Sequence, residues 1–308
     1  MTAVYIPNSV VTRPKGELTP NPAMPIIPAV EIDPVSAVDL STPTALTSAA
    51  LDPTTPPFAL NHARILYDNL LVGSSTTSTG GSNSAYTLIP NTFQGWTFTL
   101  ASTQAIVFIL PVNQSIDTVF IGAHNLGGTT VSCWYDDDES GTFTSFAASK
   151  SPTTDSAIMF HVGTSVSARI IRILISGATG LDYKIGFVSA GIAMQMPRPF
   201  FSGHNPMSDN KQHRYYDAWT ETGQMVGRSK RSVQLTGEFS WDNVPDAWYR
   251  TYMPAFKESA TRFPYGIAWN LLEYPDDVAM AFTDEDISAP YSGTRNLRSI
   301  SFSARGIG

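Results

Sequence analysis

The sequence predicts a mainly β protein in three parts. These are an extended arm over residues 1–57, a β-sandwich over 58–197, and a β-rich domain with one helix over 198–308. Three observations carry this. Short runs of Val, Ile, Thr and aromatic residues recur between turn residues through the middle of the chain, with almost no helical periodicity. Half of the prolines, 11 of 22, fall in residues 1–57. Charge is uneven: residues 58–197 hold 13 charged residues and residues 198–308 hold 25.

The arm comes first. Its apolar residues stand in small groups broken by proline, as in Ile26-Ile27-Pro28 and Ile32-Asp33-Pro34. Proline removes a backbone donor and restricts the residue before it, so neither a regular helix nor a central strand forms here. The arm is either a loose terminus or a segment lying along a partner subunit. Tyr5, Ile6, Ile26, Ile27 and Ile32 are the candidate contacts of a docked arm, because a purely solvated linker needs no such side chains.

In the middle part, strands are expected at Ala85–Ile89, Gly95–Leu100, Ala105–Leu110, Thr118–Gly122, Thr130–Tyr135, Ala157–Val162, Ala168–Ile175 and Tyr183–Val188. Eight strands at this spacing read as a sandwich. The Gly/Ser/Thr-rich stretch from Val72 to Ser84 reads as a flexible loop. In the last part, Ser232–Trp241 alternates as a strand, with a polar loop before it that runs through Arg214. Val244 to Ser259 carries Trp248, Tyr252 and Phe256 near helical spacing, with Asp242 or Asn243 as its cap. Phe263–Leu272, Val278–Phe282 and Asn296–Ala304 read as further strands.

Composition excludes several classes. Charged residues make up 15% of the chain, against roughly 25% in an average soluble protein. The hydrophobic share of 42% is too high for a wholly disordered chain. A net charge of -7 argues against a general nucleic-acid binder. The N-terminus has no basic start and apolar core of a signal peptide, and the longest apolar run, Ala105 to Leu110, is far short of a membrane span. The chain is therefore expected to be made in the cytoplasm and to stay soluble, or to leave by assembly into a particle.

The lone cysteine, Cys133, allows no internal disulfide and no Cys-based zinc site. Its strand-like surroundings suggest a buried, inert thiol. The histidines form no compact metal pattern. Neither a nucleophile elbow nor a phosphate loop is present. No catalytic, cofactor or metal residues are therefore assigned, and the chain reads as no enzyme. The acidic run Asp136-Asp137-Asp138-Glu139 reads as a solvated hairpin turn rather than a calcium loop, because consecutive residues on a turn diverge. Trp96, Trp134, Tyr86 and Tyr135 either pack in the core or stack on sugar rings. A glycan or partner site would use Tyr86, Trp96, His124 and Asn125, mainly on loops at one end of the sandwich. The basic cluster Arg228-Ser229-Lys230-Arg231 reads as a subunit contact or a solvated loop.

Residues of the middle part, in order, resemble the discoidin (coagulation-factor-type) carbohydrate-binding domain. The resemblance is carried by Ala63–Leu71 as the leading segment, Gly95-Trp96-Thr97-Phe98 with Val107–Leu110, Ile116–Ile121, the strand and acidic turn Val131–Phe143, and Ala168-Arg169-Ile170-Ile171-Arg172-Ile173. It implies a galactose-binding-like sandwich with a possible host-surface glycan as ligand. The cysteine pair that ties the ends of that family's domain is absent. Phrases such as Arg64–Leu71 and Ile121–Leu126, with Thr222–Ser229 and Ser301–Gly306 in the last part, look like those of virion proteins of tailed bacteriophages. That likeness implies a tail-tip, distal-tail or baseplate subunit. It would be a ring-forming homo-oligomer with other virion tail proteins as partners, assembled in the host cytoplasm, without nucleic-acid binding or membrane insertion.

Overall fold

A computed structural model describes residues 55–90, 92–200, 204–283, 285–292 and 296–307. The arm contacts expected at Tyr5, Ile6, Ile26, Ile27 and Ile32 lie outside the described residues. All described residues belong to one compact unit, residues 47–308. It is built from antiparallel strands with a single α-helix among the described residues, as the composition and strand runs predict.

One sheet makes the sandwich. It contains β2 (Ser75–Ser78), β3 (Trp96–Thr99), β4 (Gln104–His124), β5 (Thr130–Asp136), β6 (Thr144–Ser145), β7 (Ile158–Ser176) and β8 (Asp182–Gly191). Its order is β3-β8-β4-β7-β5-β6, with β2 on β4. The strands expected at Ala105–Leu110 and Thr118–Gly122 are one strand, β4, and those at Ala157–Val162 and Ala168–Ile175 are one strand, β7. Register breaks between Ile109 and Gln114, and between Ile116 and Thr118, let this long pair bend. The first half of β4 pairs β2 and the second half pairs β8, so the pair carries hydrogen bonding from one layer to the other. The core between the layers takes the inward side of each strand, including Trp96, Phe98, Ile106, Phe108, Val131 and Cys133.

Two local expectations fail. Ala85–Ile89 is a short 3-10 helix, Ser84–Leu88, entered through Asn83 at φ 65 rather than a strand. The Val72–Ser84 stretch is not all loop, because Ser75–Ser78 finds ladder partners at Ile106–Ile109 of β4. Ser75–Ser78 has no apolar alternation to announce a strand, while Tyr86-Thr87-Leu88 alternates as a strand would yet turns after Asn83.

The second sheet comprises β1 (Arg64–Leu66), β9 (Met194–Gln195), β10 (Lys211–Trp219), β11 (Met225–Pro245), β12 (Tyr265–Ala268), β13 (Val278–Thr283), β14 (Tyr291–Ser292) and β15 (Leu297–Ile307). Its order is β10-β11-β15-β13-β12-β1-β9, with β14 on β15. The chain thus lays down β1 in this sheet, leaves to build the sandwich, and returns beside β1 as β9. The sandwich strands lie in sequence between β1 and β9, and β1, which falls in the expected leading segment of the sandwich, pairs β12 about two hundred residues on.

The helix α1 (Asp246–Ala260) packs Trp248, Met253, Phe256 and Ala260 against the sheet's Phe239, Trp241, Tyr265 and Phe302. Its expected caps, Asp242 and Asn243, do not serve. Asn243 sits in β11 at φ 58, and Pro245 precedes the helix without a side-chain cap. Instead Asp246 opens the first turn and accepts 2.6 Å bonds from Arg250 Nε and Arg298 Nε.

Insertion and sheet meet through a third apolar cluster: Leu66, Phe120, Ala157, Met159, Phe187, Ala268, Val278 and Met280. Beside it lies a buried polar group. Arg64 donates to the carbonyls of Phe58, Ala59 and His62. Asp117 accepts from Ala193 N at 2.8 Å and Thr118 Oγ1 at 2.7 Å. Burial raises the Asp117 carboxyl while those hydrogen bonds and the Arg64 charge pull it back. Phe58 N donates to Gln195 Oε1 at 2.9 Å and Met196 N to Ala63 O at 3.0 Å, which tie the point where the chain leaves the second sheet to the point where it returns.

Candidate functional site

The edge of the sandwich at β3 carries an open groove of about 720 Å³. It follows from strand alternation. Trp96 and Phe98 turn inward, so Thr97 and Thr99 turn outward. Across the ladder, Thr97 faces Lys184 and Thr99 faces Asp182 on β8. Gln104, Asn125 and the Gly80-Gly81 backbone complete the walls. Gly81 sits at φ +78, and a Cβ there would stand 2.3 Å from Thr97 O, so only glycine lets this loop lie against β3. The Trp96 indole N–H donates to Gly80 O at 2.8 Å and pins the loop from beneath.

The groove's polar groups are held in place before any ligand arrives. Asn125 Oδ1 accepts from Lys184 N at 2.6 Å, and its Nδ2 donates to Asp182 O at 3.2 Å. Thr99 Oγ1 donates to Asp182 Oδ1 at 2.6 Å. Lys184 Nζ donates to the carbonyls of Thr92 and Phe93 at 2.8 and 2.7 Å. Phe93 stands 87% exposed, its ring centroid 6.0 Å from that ammonium. One carboxylate and one ammonium leave the groove near neutral. Such a surface offers fixed donors and acceptors for hydroxyl groups, and the Lys184 side chain links it to the exposed Phe93 ring.

The four residues expected at a glycan site divide. Asn125 lines the groove. Tyr86 stays at the surface, 37% exposed, on the 3-10 helix that packs against β3 and β8. Trp96 is fully buried and stacks on Phe98 at 4.1 Å, so its ring faces belong to the core. His124 is also withdrawn, at 6% exposure. Its Nδ1 accepts from Leu126 N at 3.2 Å, and burial lowers its pKa to about 4. Thr97, Thr99, Asp182, Lys184 and Phe93 were missed. Period-two alternation from Trp96 marks the threonines as outward, but nothing local says that β8 is their partner.

The other expectations resolve simply. Cys133 is fully buried, and burial pushes its thiol well above the usual range. The carboxylates of Asp136, Asp137 and Asp138 lie within 4.8 Å of one another. Asp136 spends its oxygens on the amides of Asp138 and Gly141, and Asp138 accepts from Ser140 N, which is the bonding of a closed turn. Arg228 and Lys230 belong to strand β11 rather than a loop.

No family model and no curated protein matches the sequence. Solved structures that match part of this chain include carbohydrate-binding modules of family 32. A GH29 fucosidase of Ruminococcus gnavus in complex with fucose matches at 15% identity and a TM-score of 0.36 over 41% of this chain. The match covers only 27% of that enzyme's length. The family 32 module of AlyQ, solved with 4,5-unsaturated mannuronic acid, matches at 22% identity and a TM-score of 0.33, over 41% of this chain and 96% of the module. The family 32 module of NanJ from C. perfringens, solved with galactose, matches at 11% identity and a TM-score of 0.34, over 42% of this chain and 98% of the module. The sandwich assignment itself rests on the strand pairing above.

Proposed function

We propose that the inserted sandwich is a carbohydrate-recognition module and that its groove along β3 and β8 takes a neutral saccharide. The observation that carries this is the pre-bonded outward ladder Thr97/Lys184 and Thr99/Asp182 with the exposed Phe93 ring beside it. A sugar hydroxyl bonds to such fixed polar groups without first displacing a disordered side chain. Binding rather than hydrolysis fits the lining, where Asp182 is the single carboxylate. Glycoside cleavage ordinarily uses two. The test is calorimetric titration with galactose, fucose and glucose oligosaccharides. Phe93→Ala should weaken binding about tenfold and leave thermal stability unchanged. Absence of binding to every neutral oligosaccharide overturns the reading.

We propose as a second reading a structural subunit of a bacteriophage tail tip or baseplate; the observation in its support is a surface of the kind that a protein partner covers, which does not itself name the partner. The β10–β11 hairpin is exposed on both faces, with Tyr216 65% and Trp219 59% exposed. A lone two-stranded ribbon is marginal in water, and partners commonly cover such surfaces. Ring-sized oligomers by mass photometry, lost on trimming the hairpin, would support assembly. A monomer at every concentration would remove it.

A further inference from the structure

A second cleft, of about 440 Å³, opens where the sandwich loop 154–157 faces the base of the β10–β11 hairpin. It shares no lining residue with the groove. Lys211, His213 and Lys230 line it, and the ladder register explains why. Lys211, His213 and Tyr215 alternate onto one face of β10, and Tyr215 pairs Lys230 across the hairpin. Neither lysine has a side-chain hydrogen bond or ion pair among the described residues. The nearest lining carboxylate, Asp155, has one oxygen on Gly127 N at 3.2 Å.

The rest of the lining suits a sugar ring. Ala157, Leu235 and Val278 supply apolar surface, and Thr154 and Ser156 supply hydroxyls. Tyr215 continues the face outward, with His213 at 6.0 Å on one side and the Arg228 guanidinium at 5.0 Å on the other.

We infer that this cleft binds an anionic saccharide, its carboxylate or sulfate held by Lys211 and Lys230 and its ring laid on Leu235 and Val278. Two unpaired cations around a partly enclosed apolar floor select for negative charge on a compact, ring-shaped ligand. A polynucleotide fits less well, because a cleft of about 440 Å³ with two lysines gives no extended basic track for a polyphosphate backbone. The inference stands apart from the neutral-sugar groove, and the experiment separates the two.

The full chain is titrated with tetragalacturonate, its methyl ester, a sulfated heparin tetrasaccharide, inorganic sulfate and a thymidine oligonucleotide. One of the two acidic tetrasaccharides should bind, with affinity falling as salt rises, and the ester should bind at least about tenfold more weakly than the free acid. Lys211→Ala/Lys230→Ala should weaken that binding about tenfold or more and leave neutral-sugar binding intact, while Phe93→Ala should do the reverse. Inorganic sulfate binding as tightly as the tetrasaccharide would mean a bare anion site and overturn the saccharide assignment. Tighter binding of the oligonucleotide, equal binding of acid and ester, unchanged binding in the double variant, or no binding of either acidic tetrasaccharide would each overturn it as well.

Discussion

The contact of Phe120 with Gly266 joins the inserted sandwich to the second sheet, and it yields a double-mutant test. Gly266 lies in β12 between Leu66 of β1 and Met280 of β13. A Cβ at Gly266 would stand 2.4 Å from Phe120 Cδ2 and 2.8 Å from its Cε2 and Cγ. Those atoms belong to a fully buried ring packed against Phe187, so they have little room to retreat. Gly266→Ala should therefore cost about 2 kcal/mol through overpacking, seen as a fall of about 4–8 °C in Tm for a folded unit of this size. Phe120→Ala alone should cost about 3–5 kcal/mol through the cavity it leaves. In that background the Gly266→Ala methyl enters the vacated space and should be neutral or stabilising, a coupling of about 2 kcal/mol. Urea unfolding of the four proteins measures it. Equal cost of Gly266→Ala in both backgrounds would refute the claim that Phe120 fills the space over Gly266.

Three further outcomes are expected. His124 and His161 have folded pKa values lowered to about 4, by burial in both and additionally by the Arg64 charge at His161. The unfolded chain takes up these protons near pH 6.5, so the stability from keeping the rings neutral is present above that pH and is lost as pH falls from 6.5 to 4. For His124 this amounts to ~3 kcal/mol, and urea midpoints of wild type and His124→Asn between pH 7 and 4 should converge. Cys133 should resist a thiol reagent at pH 8 in the native protein and react at once in guanidinium; prompt native labelling would contradict its burial. Trp96→Phe should lower stability by about 1 kcal/mol or more through the lost bond to Gly80 O, and should also weaken sugar binding by loosening the Gly80-Gly81 wall; unaltered binding would separate the loop from the site.

Local pattern made much of the fold legible. Trp96 and Phe98 alternate with threonines because one side of β3 faces the core. Trp248 and Phe256 of α1 announce their shared buried face through helical spacing. What stayed hidden is what local pattern does not encode. The three residues of β1 carry no signal that their partners are Gly266–Ala268. Lys211–Arg214, the start of β10, looked like the end of a polar loop because both faces of this strand meet solvent, which removes the alternation that marks a half-buried strand. The runs Ala105–Leu110 and Thr118–Gly122 read as two strands because the polar stretch between them gives no sign that β4 continues through a bulge. At the site, Asn125 was legible as a loop residue. Trp96 stayed open between core and sugar contact because an aromatic on a strand reads alike whether it fills a core or meets a sugar. Only the ring stacking of Trp96 on Phe98 decides between them.

The groove is the central claim, and amide chemical-shift mapping of the full chain during titration with a neutral oligosaccharide tests it most directly. The expected result is a set of saturable shifts at Gly81, Thr97, Thr99, Asn125, Asp182 and Lys184, with the midpoint moved to about tenfold higher sugar concentration in Phe93→Ala. Shifts confined to other parts of the sandwich, or none at saturating sugar, would contradict the assignment.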